Sequence, residues 1–91
     1  MKVLVDEGRT LKTSVVEMEV PLSLLSEGQK GKISRLLGGY GLLRRLLDLG
    51  LSPGTEIVVI RNQGGPVIIS YRGARVALGR GITNKILVEV R

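Results

Sequence analysis

Short apolar segments alternate with turn-forming residues along most of this 91-residue chain. The clearest turns, at 62–65 and 72–73, combine asparagine or arginine with glycine, and such clusters mark changes of chain direction. We expect a short turn over 22–28 and a helical or 3₁₀ turn over 79–84. The segments between the turns have the lengths and the aliphatic content of strands. We predict six of them, over residues 14–20, 29–37, 55–61, 66–71, 74–78 and 86–90.

One segment, Tyr40–Leu49, follows the helical period instead of the strand period. Its leucines lie within an arc of about 160° on a helical wheel, and Arg44 and Arg45 lie on the opposite side. Gly50 suits a left-handed helix end, and Pro53 prevents continuation. Short strands with a single helix favour an all-β fold, a small β-barrel with one short α-helix between strands. Closing the sheet would remove its exposed edges.

A chain of this length forms one domain. We place an N-terminal extension, with a possible short strand at Val3–Val5, over residues 1–13, and the barrel domain over residues 14–91. The core must be aliphatic, because the chain has no Phe, no Trp and only two Tyr. Apolar residues make up 43% of the sequence. Either they pack densely or some aliphatic surface is left for a partner.

The residue types present argue against catalysis and against a tight metal site. Cys and His are both absent, which removes thiolate ligands and the commonest general base. Glu17 and Glu19 share one strand face, a pattern typical of a solvated surface. The glycines over 38–41 lack the Lys-Ser/Thr that a phosphate-binding loop requires. We therefore predict a protein that is not an enzyme and that uses no cofactor.

The chain is basic, with 14 Lys and Arg against 8 Asp and Glu. This balance favours nucleic acid, an anionic membrane surface or an acidic protein as partner. Barrels that bind nucleic acid usually add aromatic stacking platforms, and two tyrosines are few. Nucleic-acid binding stays as the alternative hypothesis. The apolar runs are shorter than the roughly 20 residues of a membrane span, and the lack of Cys fits the reducing cytoplasm.

Several motifs, taken in order, resemble those of the FeoA family of ferrous-iron transport accessory proteins. The end of the helix and the next loop are similar to the family pattern RL-x-x-LG-x-x-PG, through Arg45, Leu46, Leu49, Gly50, Pro53 and Gly54. Upstream, the matching residues are Leu22, Leu25, Gly28, Gly31 and Ile33. The resemblance covers about residues 20–90. One departure is Leu78–Thr83, where the family often reads L-R-R-x-x-A.

The resemblance implies an SH3-like barrel and a cytoplasmic protein of ferrous-iron transport and iron homeostasis. Its implied partner is FeoB, a membrane permease for ferrous iron with a GTP-binding domain. Through FeoB, the protein would be recruited to the inner face of the membrane and would modulate the permease. The family brings no catalytic residue and no cofactor to carry over.

For protein–protein interaction with FeoB, we expect a docking face of aliphatic and basic side chains. Its predicted members are Leu24, Leu25, Leu36, Leu37, Arg44 and Arg45. The alternative is that these leucines fill a barrel that has no large aromatic residues.

Overall fold

A computed structural model of the protein describes residues 19–90. The strand predicted over 14–20 is therefore described only from Glu19, and the extension at 1–13 lies outside the described residues. The strands are β1 (Glu19–Pro21), β2 (Lys30–Leu36), β3 (Glu56–Arg61), β4 (Val67–Tyr71), β5 (Ala74–Leu78) and β6 (Ile86–Val90). The helices are α1 (Tyr40–Asp48) and α2 (Arg80–Thr83), and a 3₁₀ turn spans Leu22–Leu24. From β2 onward, the predicted elements are confirmed to within one residue at each end.

The strands form one antiparallel sheet in the order β1-β6-β2-β3-β4-β5. The pairing of β2 with β6 shifts register between Ile33 and Arg35, and that of β3 with β4 shifts between Val59 and Arg61. Such bulges bend a strand and increase its twist. The small all-β architecture with a helix between strands is confirmed. Closure of the sheet into a barrel is not confirmed, because within residues 19–90 the outer strands β1 and β5 share no hydrogen-bonded ladder.

The core is aliphatic except for one tyrosine, as the composition predicts. Alternate residues of β3, β4 and β6 point inward, because side chains along a strand alternate between the two faces of the sheet. The buried apolar residues are Leu22, Leu25, Ile33, Leu46, Leu51, Ile57, Val59, Val67, Ile69, Tyr71, Leu78, Ile86 and Val88.

Strand β2 has no room for a side chain at Gly31, where it lies against β6. A Cβ atom on Gly31 would lie 2.2 Å from Val88 Cγ1 and 3.0 Å from the Glu89 carbonyl oxygen. The first distance is well inside a van der Waals contact, so any side chain at this position would push β6 away from β2.

Helix α1 ends in the glycine motif that the sequence predicts. Gly50 has φ +86°, a left-handed conformation that costs glycine little. Its N–H donates to the Leu47 carbonyl at 2.9 Å, and the Leu51 N–H donates to the Leu46 carbonyl at 2.9 Å. These are the two hydrogen bonds of a Schellman motif, and the buried Leu46 and Leu51 supply its apolar contact.

The loop after α1 is hydrogen-bonded to β2. The Gly54 N–H donates to the Ile33 carbonyl at 2.7 Å, and the Ile33 N–H donates to the Thr55 carbonyl at 2.9 Å. The buried Thr55 hydroxyl donates to the Gly50 carbonyl at 3.2 Å. Together these bonds fix the end of the helix against the sheet.

Candidate docking surface

Large apolar side chains are exposed mainly on α1 and its flanks. Tyr40 and Leu47 on the helix expose 76% and 51% of their surface, and Leu37 and Leu49 beside it expose 42% and 45%. The remaining exposed residue of this kind among residues 19–90, Leu24, lies on the 3₁₀ turn. Because apolar side chains close together on a surface often mark an interaction site, α1 is the candidate site.

The sheet covers only the middle of the leucine face of α1. Leu46 is buried, whereas Leu42 and Leu43 are half-buried and Leu47 is exposed. An apolar arc as wide as the one on this helix can contact two surfaces. The sheet occupies one of them, and the side that contains Tyr40 and Leu47 faces outward.

Four residues lie in line along one outward edge of the helix, which we call the α1 stripe: Tyr40, Leu43, Arg44 and Leu47. They occupy positions i, i+3, i+4 and i+7, which lie in line on one helix face. The Arg44 guanidinium donates to the Tyr40 hydroxyl at 3.2 Å. The α1 stripe therefore combines an apolar surface with a positively charged group held beside it.

Hydrogen bonds at both ends fix the position of α1. Before the helix, the Leu37 N–H donates to the Lys85 carbonyl at 2.7 Å. After it, the buried Tyr71 on β4 donates its hydroxyl to the Leu49 carbonyl at 2.6 Å. A docking surface held in this way loses little conformational entropy when a partner binds.

A separate ionic contact lies on the sheet. The one salt bridge within residues 19–90 joins Glu19 and Arg35, with Arg35 Nε donating to Oε2 at 3.1 Å and Nη2 to Oε1 at 2.9 Å. The Ser34 hydroxyl also donates to this carboxylate. The bonds from Arg35 and then from Ser34 lower the pKa of Glu19, and the bond to Glu19 raises the pKa of Arg35. The contact joins β1 to β2 across β6.

Neither a metal cluster nor a membrane-spanning helix occurs in the part of the chain that the structure describes. No three His, Cys, Asp or Glu side chains there could hold a metal ion together. No helix among residues 19–90 is long and apolar enough to cross a bilayer.

Comparison with known proteins identifies the family. Residues 20–90 match the FeoA domain. The chain belongs to the FeoA family. It is 44% identical, over 69 residues, to a protein of Methanocaldococcus jannaschii assigned as Fe(2+) transport protein A, covering 76% of this chain and 84% of that protein.

Solved structures agree with membership of the FeoA family. A crystal structure of an iron uptake regulatory protein (FeoA) superposes with a TM-score of 0.78 at 39% identity, over 81% of this chain and 100% of that one. A manganese-dependent transcriptional repressor superposes with a TM-score of 0.76 at 22% identity, over 80% of this chain and 37% of the repressor. The second likeness shows a shared fold and nothing more.

The predicted docking residues of this FeoA domain divide into three groups. Leu37, Arg44 and Arg45 are exposed on α1 or beside it, and Leu24 is exposed on the 3₁₀ turn. Leu36 is half-buried and packs against the core. The expectation that Leu25 is on the surface is wrong. Its side chain is 2% exposed, because the chain is extended after the 3₁₀ turn (ψ 144° at Leu25) and adjacent side chains then point in opposite directions.

The residues of the FeoA motif lie mainly at the end of α1 and in the loop that follows it. Leu46 is in the core, and Leu49 and Gly50 form the end of the helix, where the Leu49 carbonyl accepts from Tyr71. Gly54 has φ +97° and donates to β2. Arg45 and Pro53 are exposed. Leu46, Leu49, Gly50 and Gly54 therefore anchor the end of α1 and the loop that follows it.

Three of the four residues of the α1 stripe, Tyr40, Leu43 and Leu47, were not predicted from the sequence as docking residues. No leucine of the helix was among the predicted surface residues. The available signal was that Tyr40 and Leu47 are seven residues apart, at the same edge of the wheel.

The structural role of Asn62 was also not predicted, because the sequence placed this residue only in a turn. The Asn62 side-chain amide donates to the carbonyls of Ser23 at 3.0 Å and Leu25 at 2.7 Å, and its carbonyl oxygen accepts from Arg80. Its backbone N–H donates to the Glu27 carboxylate at 2.9 Å. Asn62 thus connects the 3₁₀ turn to α2. Nothing in a glycine-rich turn marks one asparagine for this role.

Proposed function

We propose that this FeoA protein is an accessory protein of ferrous-iron uptake that binds the cytoplasmic side of an FeoB permease and modulates its GTP turnover. The observation that supports this role most directly is the α1 stripe. It is an apolar part of α1 that lies outside the core, on a helix fixed at both ends. In this proposal the protein acts in the cytoplasm, comes to the membrane through FeoB and performs no catalysis itself.

The chemistry of the α1 stripe specifies the surface that it would fit. Tyr40 and Leu47 are large apolar groups, and burying such a group contributes about 1.5–3 kcal/mol. Tyrosine is also among the residue types most often found at the centre of interfaces. Arg44 requires an acceptor once it is desolvated. The complementary surface on FeoB is therefore an apolar groove with a carboxylate beside it.

The test is binding of the full chain to FeoB reconstituted in lipid nanodiscs, with GTP turnover measured in parallel. Replacing Tyr40 and Leu47 by alanine together should weaken binding at least about tenfold, since two interface anchors are removed. The matched control is Leu24→Ala, at a residue that the sequence placed in the docking face but that lies outside the α1 stripe. Leu24 is 71% exposed but lies on the 3₁₀ turn, so this variant should bind within about twofold of the wild type.

Two outcomes would contradict the proposal. One is an FeoB that neither binds the wild-type protein nor changes its GTP turnover when the protein is added. The other is an equal loss of binding in the Leu24→Ala control, which would mean that the α1 stripe is not the docking surface.

A further inference from the structure

A second surface feature lies on the sheet, away from the α1 stripe. It is a groove of about 700 Å³ along β2, β3 and β4, and no residue of the α1 stripe lines it. We call it the basic groove. The lining residues that matter here are Lys30, Lys32, Glu56, Val58, Ser70 and Arg72.

The charges of the basic groove are predominantly positive. Lys30 and Lys32 stand on β2, and Arg72 follows β4 on the other side of β3. Glu56, opposite Lys32 in register, is the one acidic residue among those that line the groove. Within residues 19–90, none of these cations forms a salt bridge. Three cations against one carboxylate leave the groove electrostatically complementary to an anionic ligand.

Arg72 is held at the edge of the basic groove by its backbone. It has φ +52°, and Gly73 after it has φ +80°. Two consecutive left-handed residues make the tight turn that suits a two-residue hairpin, and Tyr71 pairs with Ala74 across it. Arg72 therefore stands at a fixed point opposite the β2 lysines.

The size and lining of the basic groove restrict the kind of anion. Its volume lies within the usual range of pockets for organic ligands and is far larger than one inorganic ion needs. Strand residues with short side chains, Val58 and Ser70, lie between the two basic sides. The aromatic residue of the lining, Tyr71, is buried and uses its hydroxyl at Leu49. It provides no platform for stacking a base, which argues against nucleic acid.

We propose that the basic groove binds an extended acidic segment of a protein partner. Carboxylates of that segment would meet Lys30 and Lys32 on one side and Arg72 on the other, while its backbone lies over Val58 and Ser70. This site is independent of the proposed FeoB docking at the α1 stripe, and either proposal can fail without the other.

The test uses a fluorescein-labelled peptide of alternating glutamate and valine, titrated with the full chain and followed by fluorescence anisotropy. The matched peptide has glutamine in place of every glutamate and should bind at least about tenfold more weakly, because the carboxylates supply the attraction. Raising NaCl from about 50 mM to about 300 mM should weaken binding of the acidic peptide several-fold, since exposed charges are screened.

Variants locate the site. The double replacement of Lys30 and Lys32 by glutamine should weaken peptide binding about tenfold, and Arg72→Asn about threefold. Asparagine is chosen because it tolerates the left-handed backbone. The matched control removes the same charge elsewhere, by replacing the exposed Arg61 and Lys85, which do not line the groove, with glutamine, and should change the affinity less than about twofold. Equal thermal unfolding midpoints would show that the variants are folded.

Three results would overturn the proposal. One is a glutamine peptide that binds as tightly as the acidic one, and another is an Arg61/Lys85 control that loses as much affinity as the Lys30/Lys32 variant. Tighter binding of a single-stranded DNA oligonucleotide than of the acidic peptide would assign the groove to nucleic acid instead. As a further check that needs no variant, the peptide should shift the amide NMR signals of Val58 and Ser70 in the wild-type protein.

Discussion

Two leucine-rich segments, Leu22–Leu25 and Leu42–Leu49, differ in how far the rest of the protein covers them. Leu22 and Leu25 of the first are buried, whereas only Leu46 of the second is. The first segment directly follows β1, and Asn62 donates hydrogen bonds to its carbonyl groups. The second is a helix whose own carbonyls are satisfied internally, and it is tied to the sheet mainly at its two ends. Leucine content alone therefore does not determine burial.

The largest expected effect tests this contrast within α1. Leu46→Ala should lower the free energy of unfolding by about 2–5 kcal/mol, because it leaves a cavity in the core. Leu47→Ala, one residue along, should change it by less than about 0.5 kcal/mol, because that side chain already faces solvent. Urea denaturation of both variants provides the measurement. Similar losses at the two positions would mean that the helix packs on the sheet with both side chains.

The second-largest expected effect concerns the first segment, Leu22–Leu25. Asn62→Ala removes the donors that satisfy two backbone carbonyls, so we expect a loss of about 1–3 kcal/mol in the free energy of unfolding. Gln63→Ala changes an exposed neighbour in the same turn and should stay within about 0.5 kcal/mol of the wild type. If the two variants unfolded at the same urea concentration, Asn62 would not be what holds the 3₁₀ turn.

A smaller effect tests the attachment of α1. Tyr71→Phe removes the hydroxyl that donates to the Leu49 carbonyl, at a cost of about 0.5–1.5 kcal/mol. The amides in the last turn of α1 should then exchange with deuterium faster, since that end is less well fixed. Tyr40→Phe removes an exposed hydroxyl bonded to Arg44 and is the control. Unchanged exchange in Tyr71→Phe would show that the Schellman motif holds the helix end without Tyr71.

The smallest effect is electrostatic and concerns β1, beside the first segment. Because Arg35 and Ser34 lower the pKa of Glu19 in the folded protein, the contact stabilises the fold above the ordinary pKa of 4.5. The contribution is lost as the pH falls through the lower, folded value. The difference in melting temperature between wild type and Glu19→Gln should therefore shrink between about pH 6 and about pH 3. A difference in melting temperature that is the same at about pH 6 and at about pH 3 would exclude an ionic contribution.

The strands and the helix end could be predicted because each depends on local patterns. Alternation along β3 and β4 places Ile57 and Ile69 inward. Gly50 adopts the left-handed backbone conformation that ends the helix. FeoA membership also followed from ordered local motifs. Coverage of α1 could not be predicted, because a helical wheel gives the direction of Leu47 but not the extent of the sheet beneath it.

The α1 stripe and the basic groove also differ in how far the sequence could predict them. The members of the α1 stripe are close in sequence, so their spacing could have indicated a shared face. The basic groove joins Lys30 and Lys32 to Arg72 through the order β2-β3-β4 and its register. No local pattern carries that information. The same holds for Asn62, whose partners Ser23 and Leu25 are 39 and 37 positions away.

The position of β6 between β1 and β2 has a consequence for the order of folding. The Ser34 hydroxyl on β2 donates to the Leu87 carbonyl on β6, and these two residues are 53 positions apart in the sequence. Strands β3, β4 and β5 are joined by short turns and can pair as soon as they are synthesised, because local contacts form fastest. Strand β1 and one edge of β2 must wait for residues 86–90. We therefore expect β3, β4 and β5 of a nascent chain to pair with one another before β1 pairs with β6.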